Sequence, residues 1–243
     1  MAEATDLVYP RRWVIRKLLH TLANAALRSI ADVSVIGREN LPKHGPLLVV
    51  SNHFSYLDPA IMISILPWPM EFLGGFRMPN APMWATLFPR LWGYFAVHRG
   101  GNSRAALMAA QKVLKLGGIV GMYPEASASA AVLRSARPGA AFLALRSGVP
   151  VLPIGTTGVR DIFPRLRLFQ RARVEFRIGA PIGPFNLVPD VPEREQMDAL
   201  GHEIMQGIAT LIPEERRGRY AASLALRAQA AAMDVYEYDH NPE

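Results

Sequence analysis

The sequence predicts an α/β fold, with a mostly parallel central sheet flanked by helices and an amphipathic, membrane-contacting helix at the N-terminal end. Short apolar runs with the character of buried strands alternate with longer helical segments along the chain. Parallel strands need helical crossovers between them, so this alternation favours a parallel sheet. With 243 residues, half of them hydrophobic, the chain can bury a substantial core.

Each element has its own local signal. Pro46 to Val50 is an apolar run between Gly45 and the polar Ser51-Asn52, which predicts a buried strand. Asp58-Pro59 supplies a helix cap followed by a proline in the first turn. The predicted strands are 33–37, 46–50, 94–97, 119–124, 149–154 and 173–178, and the predicted helices are 58–65, 104–115, 139–147, 193–211 and 220–233. We divide the chain into an N-terminal helical segment, 1–32, an α/β core, 33–190, and a C-terminal helical segment with a loose tail, 191–243.

The stretch 11–31 is the nearest approach to a membrane span, but it contains too many ionisable groups for an apolar helix of ~20 residues. It is better interpreted as an amphipathic helix. One broad face holds Trp13, Leu18, Leu22, Ala25 and Ile30, and the basic side chains at its start are Arg11, Arg12, Arg16 and Lys17. Two interpretations stay open: a helix in a lipid interface with its basic groups at the phosphates, or a helix that covers its own domain.

The amino-acid composition excludes some classes of function and favours others. The absence of cysteine excludes a disulfide framework, a cysteine nucleophile and cysteine-based metal sites. A net charge of +7 favours anionic partners, and high apolarity favours a membrane surface over nucleic acid. The aromatic-rich stretch 61–97 and the arginine-rich stretch 160–177 fit contact with anionic lipid, an acyl chain or an acidic carrier, although a buried core and a solvated face are the ordinary alternatives.

A candidate catalytic pair follows the strand at 46–50. Asn52 and His53 come directly after it, and Asp58 lies five residues beyond His53. The carboxyl ends of strands are where chemistry sits in open α/β sheets. Asp58 could accept from one ring nitrogen of His53 and leave the other free as a general base, provided that the two pair across a turn into a helix. The alternative is an ordinary helix cap beside a hydrogen-bonded loop histidine.

Three further motifs occur in order, and with them the chain resembles the glycerolipid acyltransferase family, the PlsC-like 1-acylglycerol-3-phosphate acyltransferases, over roughly residues 36–184. Asn52, His53 and Asp58 match its N-H-x4-D block. Gly93 and Arg99 match the ends of its second block, and Tyr123-Pro124-Glu125 opens its third. The stretch 149–153 matches its fourth, a proline-containing apolar strand. Ala126-Ser127-Ala128 stand where the family has Gly, Thr and Arg.

The resemblance implies roles for these positions. His53 and Asp58 would be catalytic, His53 taking the proton of a hydroxyl that attacks an acyl thioester. The residues expected to bind substrate are Asn52, Gly93, Arg99, Glu125 and Arg137. Arg99 would hold the acceptor phosphate. Arg134 or Arg137 could replace the arginine missing at Ala128; otherwise the acceptor differs, or the protein is weakly active or inactive.

The expected function is transfer of a fatty acyl group from acyl-CoA or acyl-carrier protein to a lysophospholipid, 1-acylglycerol-3-phosphate, at the cytoplasmic face of the inner or plasma membrane. No cofactor, metal or nucleic acid is expected. Two alternatives stay open: acylation of another hydroxylated lipid or glycolipid, and a membrane-bound lipid-binding protein that has lost turnover.

Overall fold

The computed structural model describes residues 9–74, 87–97, 103–126 and 131–233. The predicted phosphate-binding Arg99, the substituted positions Ser127 and Ala128, and the tail predicted to be loose from residue 234 onwards lie outside these ranges.

Seven strands and eight helices make up the described part of the chain, with a few single 3-10 turns between them. The strands are β1 (Ala31–Ile36), β2 (Leu47–Ser51), β3 (Glu71–Gly74), β4 (Phe95–Ala96), β5 (Ile119–Met122), β6 (Val151–Thr157) and β7 (Ala172–Ile178). The helices are α1 (Trp13–Ile30), α2 (Asp58–Ile65), α3 (Leu87–Trp92), α4 (Ser103–Lys115), α5 (Gly139–Ser147), α6 (Ile162–Arg167), α7 (Glu193–Ala209) and α8 (Leu224–Met233).

All seven strands join one sheet in the order β1-β7-β6-β2-β5-β3-β4. Every neighbouring pair is parallel except β6 and β7. The predicted α/β class with a mostly parallel sheet is therefore confirmed. The carboxyl ends of β2, β5 and β6 meet at one edge of the sheet, which we call the carboxyl edge.

Three elements were not predicted: the helices α3 and α6 and the strand β3. Each of the two helices contains a proline, a residue that normally interrupts a helix, and this explains why they were not predicted. Pro89 and Pro164 lie in the first turns of the short helices α3 and α6, where their missing N–H groups cost no hydrogen bond. β3 begins with a fully buried glutamate, Glu71, which contradicts the apolar pattern expected of a buried strand. Its buried charge is satisfied by groups far away in sequence.

The central strand β2 is buried on both faces and divides the core in two. Leu48 and Val50 face one cluster, which α4, α5 and α7 cover. Leu47 and Val49 face the other, to which α1, α2 and α6 contribute. Leu200, Ile204 and Ile208 place α7 inside the first cluster, so the C-terminal segment packs on the α/β core.

Helix α1 packs Leu19 and Leu27 into the second cluster, beside polar groups that bond the protein, and exposes further apolar side chains on its other side. His20 bonds the carbonyl of Ile63 through Nδ1 at 2.7 Å, and Asn24 donates to the carbonyl of Ser64 at 2.7 Å. The exposed apolar side chains are Trp13, Val14, Ile15, Leu18 and Leu22, which we call the outer apolar face. One side of α1 therefore covers the core, and another presents apolar side chains at the surface.

Three of the four basic groups at the start of α1, those of Arg11, Arg12 and Arg16, bind the protein, and Lys17 is exposed. Arg16 is 1% exposed and forms a buried ion pair with Glu71 at 2.7 Å. Arg11 bonds the same carboxylate, and Arg12 donates to the carbonyls of Arg90 and Leu91. The interpretation that places Arg16 at lipid phosphates is therefore wrong, because its guanidinium neutralises a buried carboxylate.

None of the helices in the described ranges combines the length and the apolarity that crossing a bilayer requires.

Candidate active site

His53 and Asp58 meet at the carboxyl edge of the sheet. β2 ends at Ser51, and a short loop, residues 52–57, which we call the catalytic loop, leads into α2, which begins at Asp58. His53 Nδ1 lies 3.0 Å from Asp58 Oδ2. The pairing predicted across a turn-to-helix transition is confirmed. Because an ionised carboxylate only accepts hydrogen bonds, Nδ1 carries the proton and Nε2 is the basic nitrogen.

One oxygen of Asp58 also organises the loop. Oδ2 accepts the backbone N–H groups of Phe54 and Ser55, both at 2.8 Å, in addition to the histidine. The Asp58 side chain is only 3% exposed, so these bonds satisfy a carboxylate that has left water. Asp58 therefore fixes both the loop backbone and the orientation of the His53 ring.

Asn52 anchors the loop to the neighbouring strand. Its Nδ2 donates to the carbonyl of Thr156 at 2.9 Å, and its Oδ1 accepts the Thr156 N–H at 2.8 Å. The residue is fully buried, and both ends of its amide are used. The prediction that its side chain binds substrate is wrong, because it joins β2 to β6 behind the site.

Glu125 lies at the end of β5, the strand beside β2, and ties three segments together. It is fully buried, with Oε1 accepting the His53 N–H at 3.0 Å and Oε2 accepting the Arg134 N–H at 2.9 Å. Sequence analysis predicted that it shapes or binds the acceptor. Both oxygens of the carboxyl group are occupied by backbone N–H groups, so Glu125 positions His53 and the segment around Arg134; its contact with the acceptor stays a prediction.

Tyr123 is the site residue that sequence analysis missed. Its ring stacks on the His53 imidazole with centroids 4.0 Å apart and 19° between the planes. The contact closes one face of the imidazole and leaves less freedom for the ring to rotate. Burial, and then the charge of Asp58, raise the pKa of Tyr123 well above its usual value, so the phenol stays neutral. An aromatic residue two positions before Glu125 was the available signal.

Two predicted substrate-binding residues remain, Gly93 and Arg137. Gly93, at φ +75°, lies between α3 and the start of β4, against the Arg12 guanidinium, with its carbonyl bonded to Arg16. Because Arg16 also pairs with Glu71, Gly93 helps to hold this buried ion pair, and its substrate-binding role stays a prediction. Arg137 is exposed, and its N–H donates to the carbonyl of Pro124 beside Glu125. Its substrate-binding role stays a prediction.

The first three N–H groups after Asn52 are not available to an oxyanion. The N–H of His53 is bonded to Glu125, and those of Phe54 and Ser55 are bonded to Asp58. These bonds give the loop a fixed shape, and stabilisation of a tetrahedral intermediate must come from other donors.

Glu125 predicts a pH-dependent stability. Burial raises its pKa to about 8 from an ordinary value of 4.5, against the opposing effect of the bonds from Arg134 and His53. Below pH 4.5 both the folded and unfolded states hold the proton. Between pH 4.5 and 8 only the unfolded state releases it, so folding loses roughly 4–5 kcal/mol as the pH rises, and nothing further above pH 8.

Urea unfolding of wild type and Glu125→Gln across this pH range measures the effect. The wild type is expected to lose stability relative to the variant as the pH rises, because glutamine does not titrate. If the difference in unfolding free energy between the two proteins did not change with pH, Glu125 would be ionised in the folded protein over the whole range.

Ala126 predicts a stabilising substitution. Its φ of +53° lies in the left-handed region, which costs a residue with a Cβ about 1–2 kcal/mol and which glycine adopts freely. Ala126→Gly is expected to raise the free energy of unfolding by about 0.5–1 kcal/mol in urea unfolding, after the entropy of glycine is subtracted. Ala25→Gly, on the exposed side of α1, is the control and is expected to destabilise by about 1 kcal/mol. A loss of stability in Ala126→Gly would contradict the prediction.

A histidine held by a buried aspartate at the carboxyl edge of an α/β sheet defines an enzyme-type site built to remove a proton from a nucleophile. Comparison with known proteins identifies the family. The family model described as Acyltransferase matches residues 32–157, and the chain belongs to that family. The matched region contains His53, Asp58 and Glu125, and the predicted resemblance is confirmed.

Several similar curated proteins are named 1-acyl-sn-glycerol-3-phosphate acyltransferases. A 1-acyl-sn-glycerol-3-phosphate acyltransferase of Borreliella burgdorferi is 26% identical over 57% of this chain and 56% of its own length. One of Bacillus subtilis is 23% identical over 74% of this chain and 87% of its own. The crystal structure of the 1-acyl-sn-glycerophosphate (LPA) acyltransferase PlsC from Thermotoga maritima superposes with a TM-score of 0.61 at 23% identity, covering 84% and 83% of the two chains. This structural likeness shows that the two share a fold.

Proposed function

We propose that this protein transfers a fatty acyl group to the free hydroxyl of 1-acylglycerol-3-phosphate and so forms phosphatidic acid. The observation that carries the proposal is the His53–Asp58 pair, held at the carboxyl edge inside the region that matches the acyltransferase family. The names of the curated relatives support the acceptor. The donor is an acyl thioester, acyl-CoA or acyl-carrier protein, and the reaction uses no cofactor or metal.

In the proposed reaction, His53 Nε2 takes the proton of the acceptor hydroxyl as its oxygen attacks the carbonyl carbon of the thioester. The carbon–sulfur bond breaks, and the proton passes from His53 to the departing thiolate. The products are an ester and a free thiol. The negative charge of Asp58 stabilises the imidazolium that forms between these steps. Nε2 forms no hydrogen bond within the described residues, and the side chain is 16% exposed, which supports its access to substrate.

The acceptor phosphate is proposed to bind the basic segment that follows Glu125. The backbone N–H of Arg134 is bonded to the carboxyl group of Glu125, so the backbone of this arginine lies close to the catalytic loop. The positive charge of Arg134 lowers the pKa of Glu125. Arg137 lies three residues further along the same segment. Either guanidinium can supply the charge-assisted hydrogen bonds that an arginine at position 128 would have given.

An acceptor panel tests this proposal. Labelled acyl-CoA and acyl-carrier protein are each offered with lysophosphatidic acid, its phosphate-free monoacylglycerol and a glycolipid. Product from lysophosphatidic acid, with a raised KM in Arg134→Gln or Arg137→Gln, is the expected result. Product only from a phosphate-free acceptor would make Ala126-Ser127-Ala128 a change of specificity. No product from any pair would favour a lipid-binding protein that has lost turnover.

We also propose that the enzyme works on a membrane surface, at its cytoplasmic face. The outer apolar face of α1 supports this, because Leu18 and Leu22 are more than half exposed while His20 and Asn24 of the same helix bind the protein. Such a helix, lying in the interface with its apolar side in the acyl region, would hold the enzyme on the surface without crossing the membrane.

Liposome flotation measures this association. The double variant Leu18→Glu, Leu22→Glu is expected to weaken binding to vesicles at least tenfold, because two apolar side chains are replaced by charges that must stay in water. Leu116→Glu is the matched control, since Leu116 is a leucine of similar exposure at the end of α4. Equal binding of the double variant and wild type would contradict the proposal.

A further inference from the structure

The turn between α6 and β7, residues 165–171, combines exposed apolar side chains with arginines, and we call it the arginine tip. Leu168 is 65% exposed and Phe169 is fully exposed. Arg165 and Arg167 flank them and are exposed, as is Arg171, whose guanidinium pairs with Asp32 at 3.0 Å. The stretch from 160 to 173 holds five arginines and a single carboxylate, Asp161.

Phe169 occupies a position that local structure reserves for glycine. The N–H of Gln170 bonds the carbonyl of Arg165, and the N–H of Phe169 bonds that of Leu166, which is the Schellman ending of a helix. The residue in the middle must be left-handed, and Phe169 has a φ of +54°. A strained backbone and a fully exposed aromatic ring both cost stability, and residues that break local rules in this way concentrate at functional sites.

The arginine tip follows a helix, α6, that contacts the catalytic loop. β6 runs parallel to β2 toward the carboxyl edge, and β7 returns antiparallel, so the connection between them is at the edge that carries His53. Phe163 of α6 stacks on Tyr56 of the catalytic loop, with ring centroids 6.2 Å apart. Arg171 donates to the carbonyls of Arg28 and Ala31, which fixes the tip to the C-terminal end of α1.

We propose that the arginine tip is a second membrane anchor, which inserts Leu168 and Phe169 into an anionic lipid surface and brings the carboxyl edge against it. This inference rests on the proposed membrane association and adds a separate contact to it. The apolar side chains of the tip match the acyl-chain layer of the interface, and its basic side chains match the phosphate layer. Anchors at α1 and at the tip would orient the His53 edge toward a lipid acceptor.

Single-cysteine labelling tests the tip directly, because the chain has no cysteine of its own. Phe169→Cys, Leu18→Cys and Leu116→Cys are each labelled with a polarity-sensitive fluorophore and mixed with phosphatidylcholine vesicles, with and without phosphatidylglycerol. Leu116 precedes β5 and so lies at the opposite edge. Labels at 169 and 18 are expected to enter an apolar environment on anionic vesicles, and the label at 116 to stay in water.

An aqueous label at 169 on vesicles where the label at 18 is buried would overturn the second anchor and leave the α1 proposal intact. Aqueous labels at both positions would overturn the two together. A response of the label at 169 to acyl-carrier protein, with none to vesicles, would replace the lipid surface by a protein partner and would also overturn the proposal. None of these outcomes depends on turnover.

Phe169→Gly separates anchoring from folding. Glycine relieves the left-handed strain, so the midpoint of thermal unfolding is expected to rise. Partitioning onto anionic vesicles is expected to weaken about tenfold, from loss of the buried aromatic ring. Leu116→Ala is the control and leaves partitioning unchanged. A Phe169→Gly variant with wild-type partitioning would contradict the proposal.

Discussion

Replacing Asp58 with asparagine is expected to lower kcat about 10²–10⁴-fold while the catalytic loop keeps its shape. The asparagine Oδ1 can take the place of Oδ2 and still accept the bonds from Phe54, Ser55 and His53. What is lost is the negative charge that stabilises the imidazolium, the contribution of a general base and its partner. KM is expected to change little, because Asp58 is buried behind the histidine.

Asp58→Ala distinguishes the two roles of the aspartate. It removes the acceptor as well as the charge, so two loop N–H groups and the histidine lose their partner. Each unsatisfied buried group costs about 1–3 kcal/mol, and the unfolding midpoint in urea should fall together with activity. The account fails if Asp58→Asn keeps wild-type kcat, or if it unfolds as readily as Asp58→Ala.

Replacing Glu71 with glutamine is expected to cost about 3–5 kcal/mol of unfolding free energy, because it leaves the fully buried guanidinium of Arg16 without its counter-charge. Burial alone would raise the pKa of Glu71, but hydrogen bonds and charge from Arg16, then Arg11, outweigh it and hold the pKa below 4.5. The stability that this lowered pKa supplies is present above pH 4.5 and is lost as the pH falls through the folded-state value.

Equilibrium unfolding in urea compares this variant with Glu175→Gln. Glu175 pairs with Arg177 on the surface, where each side chain is about a third exposed or more. Loss of this ion pair is expected to cost less than about 1 kcal/mol of unfolding free energy. Equal effects of the two substitutions would show that the Arg16–Glu71 pair contributes no more than a surface pair.

The sequence was most informative where one segment determines its own structure. The bounds of α2 and α5 were predicted to the residue, from the proline in the first turn of α2 and the glycine that closes α5. Asp58, however, binds the preceding loop and does not cap α2 as predicted. The His53–Asp58 pairing was predictable for the same reason, since both residues belong to a single strand-to-helix turn. The family motifs added Glu125 by its position alone.

Contacts between distant segments were not predictable from local patterns. The partner of Arg16 is Glu71, 55 residues away, so a buried arginine and a lipid-facing arginine have the same sequence signature. Asn52 binds Thr156, 104 residues away, and the same amide could equally have faced substrate. Tyr123 reaches His53 only because β5 and β2 are neighbours in the sheet. Burial and strand order, which one sequence does not display, decide these roles.

The most direct test is the transfer of labelled acyl groups from acyl-CoA and acyl-carrier protein to lysophosphatidic acid on anionic vesicles, with wild type and His53→Ala compared at equal bound protein. The account predicts one phosphatidic acid and one free thiol for each thioester consumed by wild type. It predicts that product formation by His53→Ala falls at least a hundredfold, with unchanged vesicle binding. Wild-type rates in His53→Ala would contradict the assignment of His53 as the base, and an absence of product from folded, vesicle-bound wild type would contradict the proposed reaction.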